Sequence, residues 1–306
     1  MDFERDDRHR VCLVVQKLLR YTKTNMKGTM GGEVREYDDS ILTESGDSQS
    51  SKSGRYWEID AIRGIAILGM LFYHLLACLV LFHIIVEDPN FLSYYNTYMF
   101  GSGVFVLLAG IAMILRHERM RGRTTKEYYL ALVIKAMFLL ALGFCITIGS
   151  WIGASLFLGS EAFIKFGFLH MLGVSMLLAI PLLRYGRWNI ILGLIIIAIG
   201  AFIFPYINDP SWLYPLGIHA EDFMQYTQDY FPLFPWFGVL LLGVGLGTVF
   251  YPNGRRSFTI REPGKIGEAF AKLGNGAVTL FIYLVHIPVI FVILWIFSSL
   301  TGIGYL

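Results

Sequence analysis

From residue 62 onward the chain returns again and again to runs of roughly 17 to 25 apolar residues, each long enough at about 1.5 Å per residue to cross a hydrocarbon layer about 30 Å thick. Seven such runs are read, at 62–86, 98–115, 129–148, 166–183, 189–206, 232–251 and 277–299. Lipid offers backbone amides no partners, so runs of this kind must be helical, and the short alternating segments of a membrane β-barrel do not occur. The expectation is an all-α, polytopic transmembrane helix bundle in a cell membrane, with the lipid bilayer as its first partner. The stretch 149–165, "GSWIGASLFLGSEAFIK", is the candidate for a weak eighth span. Glu161 and Lys165 interrupt it, so it is read as re-entrant or interfacial.

Hydrophobic residues make up 55% of the 306 and charged residues only 16%, which excludes an ordinary soluble domain. Residues 1–54 differ: they are polar, mixed in charge and end in "TESGDSQSSKSGR", a composition that cannot bury enough apolar surface to fold alone. The expected organisation is a disordered cytoplasmic leader at 1–54 and a membrane domain at 55–306. The apolar patch at 11–21 is too short to span and fits a short interfacial helix at most. Cys12, Cys78 and Cys145 lie far apart, without metal-ligand spacing, and no disulfide framework is expected.

Charge placement orients the bundle. The segments after the second, fourth and sixth runs carry Arg116, Arg119, Arg121, Arg123 and Lys126, then Arg184 and Arg187, then Arg255, Arg256, Arg261, Lys265 and Lys272. The loops at 87–97 and 207–231 hold no Lys or Arg and carry Glu87, Asp88, Asp209, Glu221, Asp222 and Asp229. This alternation places the N-terminus and basic loops in the cytoplasm and the acidic loops outside. The net charge of +2 gives no reason to expect a nucleic-acid partner.

Ionisable residues inside the spans are costly unless they face a protein interior or a wet cavity. In "IDAIRGIAILGMLFYH", 59–74, His74 is the eleventh residue after Arg63. At about 100° per residue these share one helical face, about 16 Å apart along the axis, and Asp60 stands one turn before Arg63 and can pair with it. Two more histidines lie within spans, His170 in the fourth and His286 in the seventh beside Pro288. Three spans with one histidine apiece suggest a shared polar cavity, while each ring taken alone could equally be packing glue. Glycines at 238, 243, 245 and 247, and at 101, 103 and 110, have the small-residue spacing of close helix packing and would also allow two copies to pair. His219 with Glu221 and Asp222 reads as a solvated loop, and no metal is expected.

The segment "RGIAILGMLFYH" resembles the Arg-x10-His signature of membrane-bound acyltransferases that use acyl-CoA. The resemblance widens through "EIDAIRGIAILGM", "KFGFLHMLGVSMLL", "DYFPLFPWFGVLLLGVGLG" and "LGNGAVTLFIYLVHIPVI", which together look like the prokaryotic relatives of the heparan-α-glucosaminide N-acetyltransferase catalytic domain. It implies a many-helix enzyme that takes an acyl group, usually acetyl, from acetyl-CoA as donor and gives it to a sugar or glycan amine or hydroxyl. It places Arg63 and His74 at signature positions. In the heparan enzyme the position matching His74 looks to be an asparagine, and its catalytic histidine falls just after the first span, where His83 is the nearest histidine here. His74 and His83 therefore both stand as candidate bases, with His74 preferred. Arg116, Arg119, Arg121, Arg123, Arg255 and Arg256 would be phosphate partners of CoA, and His170 and His286 would meet the acceptor. The alternative is a multi-pass transporter with an intramembrane histidine path.

Overall fold

The computed structural model describes residues 55–86, 91–120, 125–158, 162–207 and 211–304. The leader, with its apolar patch, and Arg121 and Arg123 lie outside the described residues. Among the described residues no strand forms, and the helices are α1 (Trp57–Leu81), α2 (Phe91–Arg119), α3 (Thr125–Gly153), α4 (Phe168–Ala179), α5 (Asn189–Phe202), α6 (Leu233–Phe250), α7 (Lys265–Leu273) and α8 (Gly276–Thr301). Six helical stretches are long and apolar enough to cross a membrane. One of them, Phe168–Phe202, takes in most of both the fourth and the fifth apolar runs.

That stretch is two passes joined by a reversal. A 3-10 segment, Ile180–Trp188, follows α4, and Gly186 within it takes φ 50 and ψ −120, outside the helical region. A left-handed φ at this point favours glycine because a Cβ would clash with the backbone. Fully buried Asn189 pins the turn, its amide donating to the carbonyls of Leu182 and Gly186 at 2.9 Å each. The chain then runs back along α6: Gly245 sits against Asn189 and Ile190, Gly193 against Gly238 and Leu242, and Gly200 against Phe234 and Pro235.

Helix α6 is the centre of the bundle, and the glycines explain how two neighbours reach it. On one face Gly193 and Gly238 bring α5 to backbone contact. On another, Gly110 meets Leu240 and Val244, while Gly243 meets Leu107, so α2 lies alongside in the same direction as α6. Val106, Leu240, Leu241 and Val244 have no exposed surface. Apart from Gly101, which has open space beside it, these glycines are consumed within the chain. Gly243→Leu would drive a side chain into the α2 backbone and is expected to destabilise by about 1–3 kcal/mol. A lower thermal midpoint in detergent, without loss of expression of Gly101→Leu protein, checks this.

The remaining helices close the bundle at one flank. Helices α3 and α4 run antiparallel, with Gly173 against Ala136 and Leu140 and Gly143 against His170. Helix α3 extends past the expected end at 148 through Gly153 into a π-helical turn, Ala154–Leu158. The following strap is bound back to it by Thr147 Oγ1 donating to Ile164 O at 2.7 Å and by Ile164 N donating to Ser150 Oγ at 3.0 Å. Residues 149–158 thus lengthen the third span, and Ile164 lies back against its last turns. Helices α1 and α8 run side by side in the same direction, since Gly274 approaches Asp60 and Gly64 at one end and Gly304 approaches Phe82 at the other. The short helix α7 packs its Phe270 backbone on Gly64.

Arg119 and Arg256 both stack on Tyr56 at one end, 5.2 and 5.3 Å from its ring. Asp229, just before α6, and His83, just after α1, lie at the other. Cys78 and Cys145 both lie within helices as free thiols.

Candidate functional site

The mouth at the basic end is built on the first turns of α1. Arg63 Nη1 donates to Asp60 Oδ1 at 2.7 Å, as its spacing requires, and also to the carbonyl of Gly274 at 2.9 Å. Arg55 takes the other Asp60 oxygen at 2.8 Å. Arg63 therefore ties the first helix to the α7–α8 turn, and only a residue as small as Gly64 lets that turn approach. One turn earlier, buried Glu58 accepts from Arg256 Nε and Nη2 at 2.9 and 2.8 Å and from the Tyr251 hydroxyl at 3.0 Å. Burial, and then the adjacent carboxylate, push the Tyr251 phenol well above its ordinary range, so it stays a donor. Glu58→Ala would leave a half-buried guanidinium and a buried hydroxyl without their acceptor, an expected loss of about 2–4 kcal/mol read as a lower thermal midpoint.

This geometry sorts the arginines expected at a cofactor. Arg256 is committed to Glu58 and Arg119 to the Tyr56 face. Arg255 is exposed. Arg116 is exposed and lies within electrostatic reach of Tyr128 at the start of α3.

The deeper part of the site joins α1 to α8. His74 and His286 meet edge to face, ring centroids 4.8 Å apart at 77°. His74 Nδ1 lies 2.9 Å from the carbonyl of Met70, and His286 Nδ1 lies 2.7 Å from that of Tyr283. A carbonyl only accepts, so in each neutral ring Nδ1 carries the proton and Nε2 keeps the lone pair. Nε2 of His286 is buried and has no hydrogen-bond partner among the described residues.

Two residues not singled out from the sequence complete the constellation. The Tyr283 hydroxyl donates to the carboxylate of Asp229, and that carboxylate is within electrostatic reach of His286. Asp229 reaches inward from the acidic-end loop with φ 46, beside Gly167, where a Cβ would stand 3.0 Å from Asp229 Oδ2. Tyr283 could have been found as the polar residue one turn before His286, on the same face. Asp229 was legible only as an acid on the threshold of the sixth span.

The other histidines go elsewhere. His170 stands in the first turn of α4, where its Nδ1 accepts from Gly167 N at 3.3 Å. Its ring is held between Phe144 and Phe166, at 4.9 and 5.6 Å, which braces α4 against α3. His83 is exposed in the turn beyond α1, at φ 53 and at the acidic end. Since the helix stops at Leu81, His83 does not share the helical register of His74. His219 packs against Phe223 and Tyr230 at 4.9 and 5.3 Å.

The arrangement offers two imidazole lone pairs at mid-bundle, a carboxylate and phenol approaching from the acidic end, and arginines at the basic end. Such a set can take a proton from one reactant and hold an anionic group of another. Residues 55–288 match the family model described as heparan-alpha-glucosaminide N-acetyltransferase, catalytic. Comparison with curated proteins and with solved structures gives no match.

Proposed function

The chain belongs to the heparan-alpha-glucosaminide N-acetyltransferase catalytic family, and from that premise we propose that it moves an acetyl or similar acyl group from acyl-CoA to a sugar or glycan amine or hydroxyl, with His74 as base. The family makes it a membrane enzyme of acetyltransferase type. The observation that carries the finer reading is the His74–His286 pair, with ring centroids 4.8 Å apart and both Nδ1 atoms tied to backbone carbonyls.

In the proposed step the acceptor nitrogen or oxygen attacks the thioester carbonyl carbon as its proton passes to Nε2 of His74. The C–S bond then breaks, and the CoA thiolate takes that proton back from the imidazolium. His286 supplies a second imidazole beside the first, and Asp229, through its charge, favours the cationic state that forms during transfer. The donor enters from the basic end, which the positive-inside rule makes cytoplasmic, and the acceptor from the acidic end.

The test is acyl transfer by purified protein in lipid nanodiscs, with radiolabelled acetyl-CoA and a panel of amino sugars and polysaccharide fragments. Acceptor-dependent release of free CoA is expected. If wild-type protein releases no more CoA than His74→Ala protein, the reading is overturned.

A further inference from the structure

Helix α3 carries one lysine inside an otherwise apolar span, Lys135 in "LALVIKAMFLLALGF". Its position on the helix is informative. Taking the line through the buried residues Tyr128, Leu132, Ala136 and Leu139 as the inward face, Lys135 stands about 60° from it and about 160° or more from the exposed Met137 and Phe144. The lysine thus stands at the edge of the inward face, with its side chain exposed and the exposed Phe138 about 60° away on its other side.

The charges that act on it are Arg116 of α2 and Arg63 of α1, both positive. Arg116 also acts on Tyr128, two turns earlier on the same face of α3, which sets the guanidinium along that face. Among the described residues neither Lys135 nor Arg116 has an ion-pair partner. The nearest carboxylate on α1, Asp60, is already shared between Arg63 and Arg55. Among the described residues three cations from three helices gather here, with Asp60 shared and Glu118 of α2 near Tyr128, an excess of positive charge that is expensive within a bilayer. Such an excess is explained by an anion that arrives with the ligand.

We propose that Lys135, Arg116 and Arg63 form a pocket for a pyrophosphate-type dianion, and, resting on the acyl-CoA reading above, that its occupant is the diphosphate of the acyl donor. Lys135 would then bind the donor and take no part in proton transfer. The pocket opens at the basic end, and the pantetheine arm would extend from it along α1 toward His74. A lipid headgroup carries the same phosphate chemistry, so the experiment separates the two sources.

Wild-type, Lys135→Met and Lys135→Arg proteins are compared in phosphatidylcholine nanodiscs. Four probes are used: CoA, dephospho-CoA, phosphate-free pantetheine and inorganic pyrophosphate. Lys135→Met is expected to weaken CoA and dephospho-CoA at least about tenfold, to leave pantetheine unchanged, and to raise the ligand-free thermal midpoint by relieving repulsion. Lys135→Arg restores most of the affinity. In turnover, Lys135→Met raises KM for acetyl-CoA and leaves kcat within about twofold. Unchanged CoA affinity in Lys135→Met overturns the inference while leaving the acyltransferase reading intact. Phosphatidylglycerol retained by wild type in native mass spectrometry and lost in Lys135→Met, with CoA affinity unchanged, overturns the assignment to the donor. If acetyl-CoA is not used but pyrophosphate stabilises wild type and not Lys135→Met, the acyltransferase reading fails and the anion pocket stands.

Discussion

Replacing His74 by alanine is expected to lower kcat for acyl transfer by about 10²- to 10⁴-fold, the range that a positioned general base supplies, with CoA affinity held within about threefold. The pairing of its Nδ1 with the Met70 carbonyl leaves Nε2 as the basic atom, and alanine removes that atom without touching the arginines at the basic end. His286→Ala separates the roles of the two rings. It removes the edge-to-face neighbour but keeps the His74 lone pair, so a smaller loss of about tenfold is expected. Single-turnover rates with acetyl-CoA and an accepted sugar measure both. A His286→Ala loss larger than that of His74→Ala would transfer the base to His286. Retention of activity by His74→Ala with loss in His83→Ala would move the chemistry to the acidic-end turn.

Asp229→Asn is expected to cost about 10²-fold in kcat and little in affinity for CoA. The substitution keeps the size of the side chain and its ability to accept from the Tyr283 hydroxyl, while removing the negative charge that acts on His286. A structural role confined to that hydrogen bond would leave the rate of Asp229→Asn near wild type and slow Tyr283→Phe instead. An electrostatic role gives the reverse order, since charge stabilisation in a water-poor site is worth several kcal/mol. Gly167→Ala offers a milder version: its Cβ would crowd Asp229 Oδ2 at 3.0 Å and should slow the reaction without altering any charge. Equal rates for Asp229→Asn and wild type would remove Asp229 from the site.

Much of this was legible in the sequence, because lipid narrows the choices to helices and run length then locates them. The partnership of Asp60 with Arg63 followed from their spacing, and the glycines at 110, 238 and 243 pointed to close helix packing. The reversal between the fourth and fifth runs was expected from Arg184 and Arg187, but local pattern could not show that Gly186 makes it within one 35-residue helical stretch, since a glycine with positive φ looks like any other in composition. Nor could it show α7, whose nine residues are amphipathic and too few to register as a run. Of the three intramembrane histidines, two meet and one does not. That outcome depends on α1 and α8 lying parallel, and on His170 falling in the first turn of α4, where an imidazole closes the helix start. Asp229 and Tyr283 were hidden for the same reason: their meeting depends on tertiary structure.

The clamp between Arg63 and the Gly274 carbonyl joins positions 211 residues apart, and the two histidine rings come from the same pair of helices. Neither pairing can exist while the ribosome is still threading the intervening helices into the bilayer. During synthesis α1 must therefore wait in the membrane with Arg63 and His74 unmatched to their later neighbours, while Asp60 already has Arg55 and Arg63 beside it. On the proposed assignment the site is thus incomplete until α8 is inserted. A premature stop between Phe250 and Gly276 would leave every span before α8 and remove the His286 ring, together with the Gly274–Arg63 clamp or its α8 anchor.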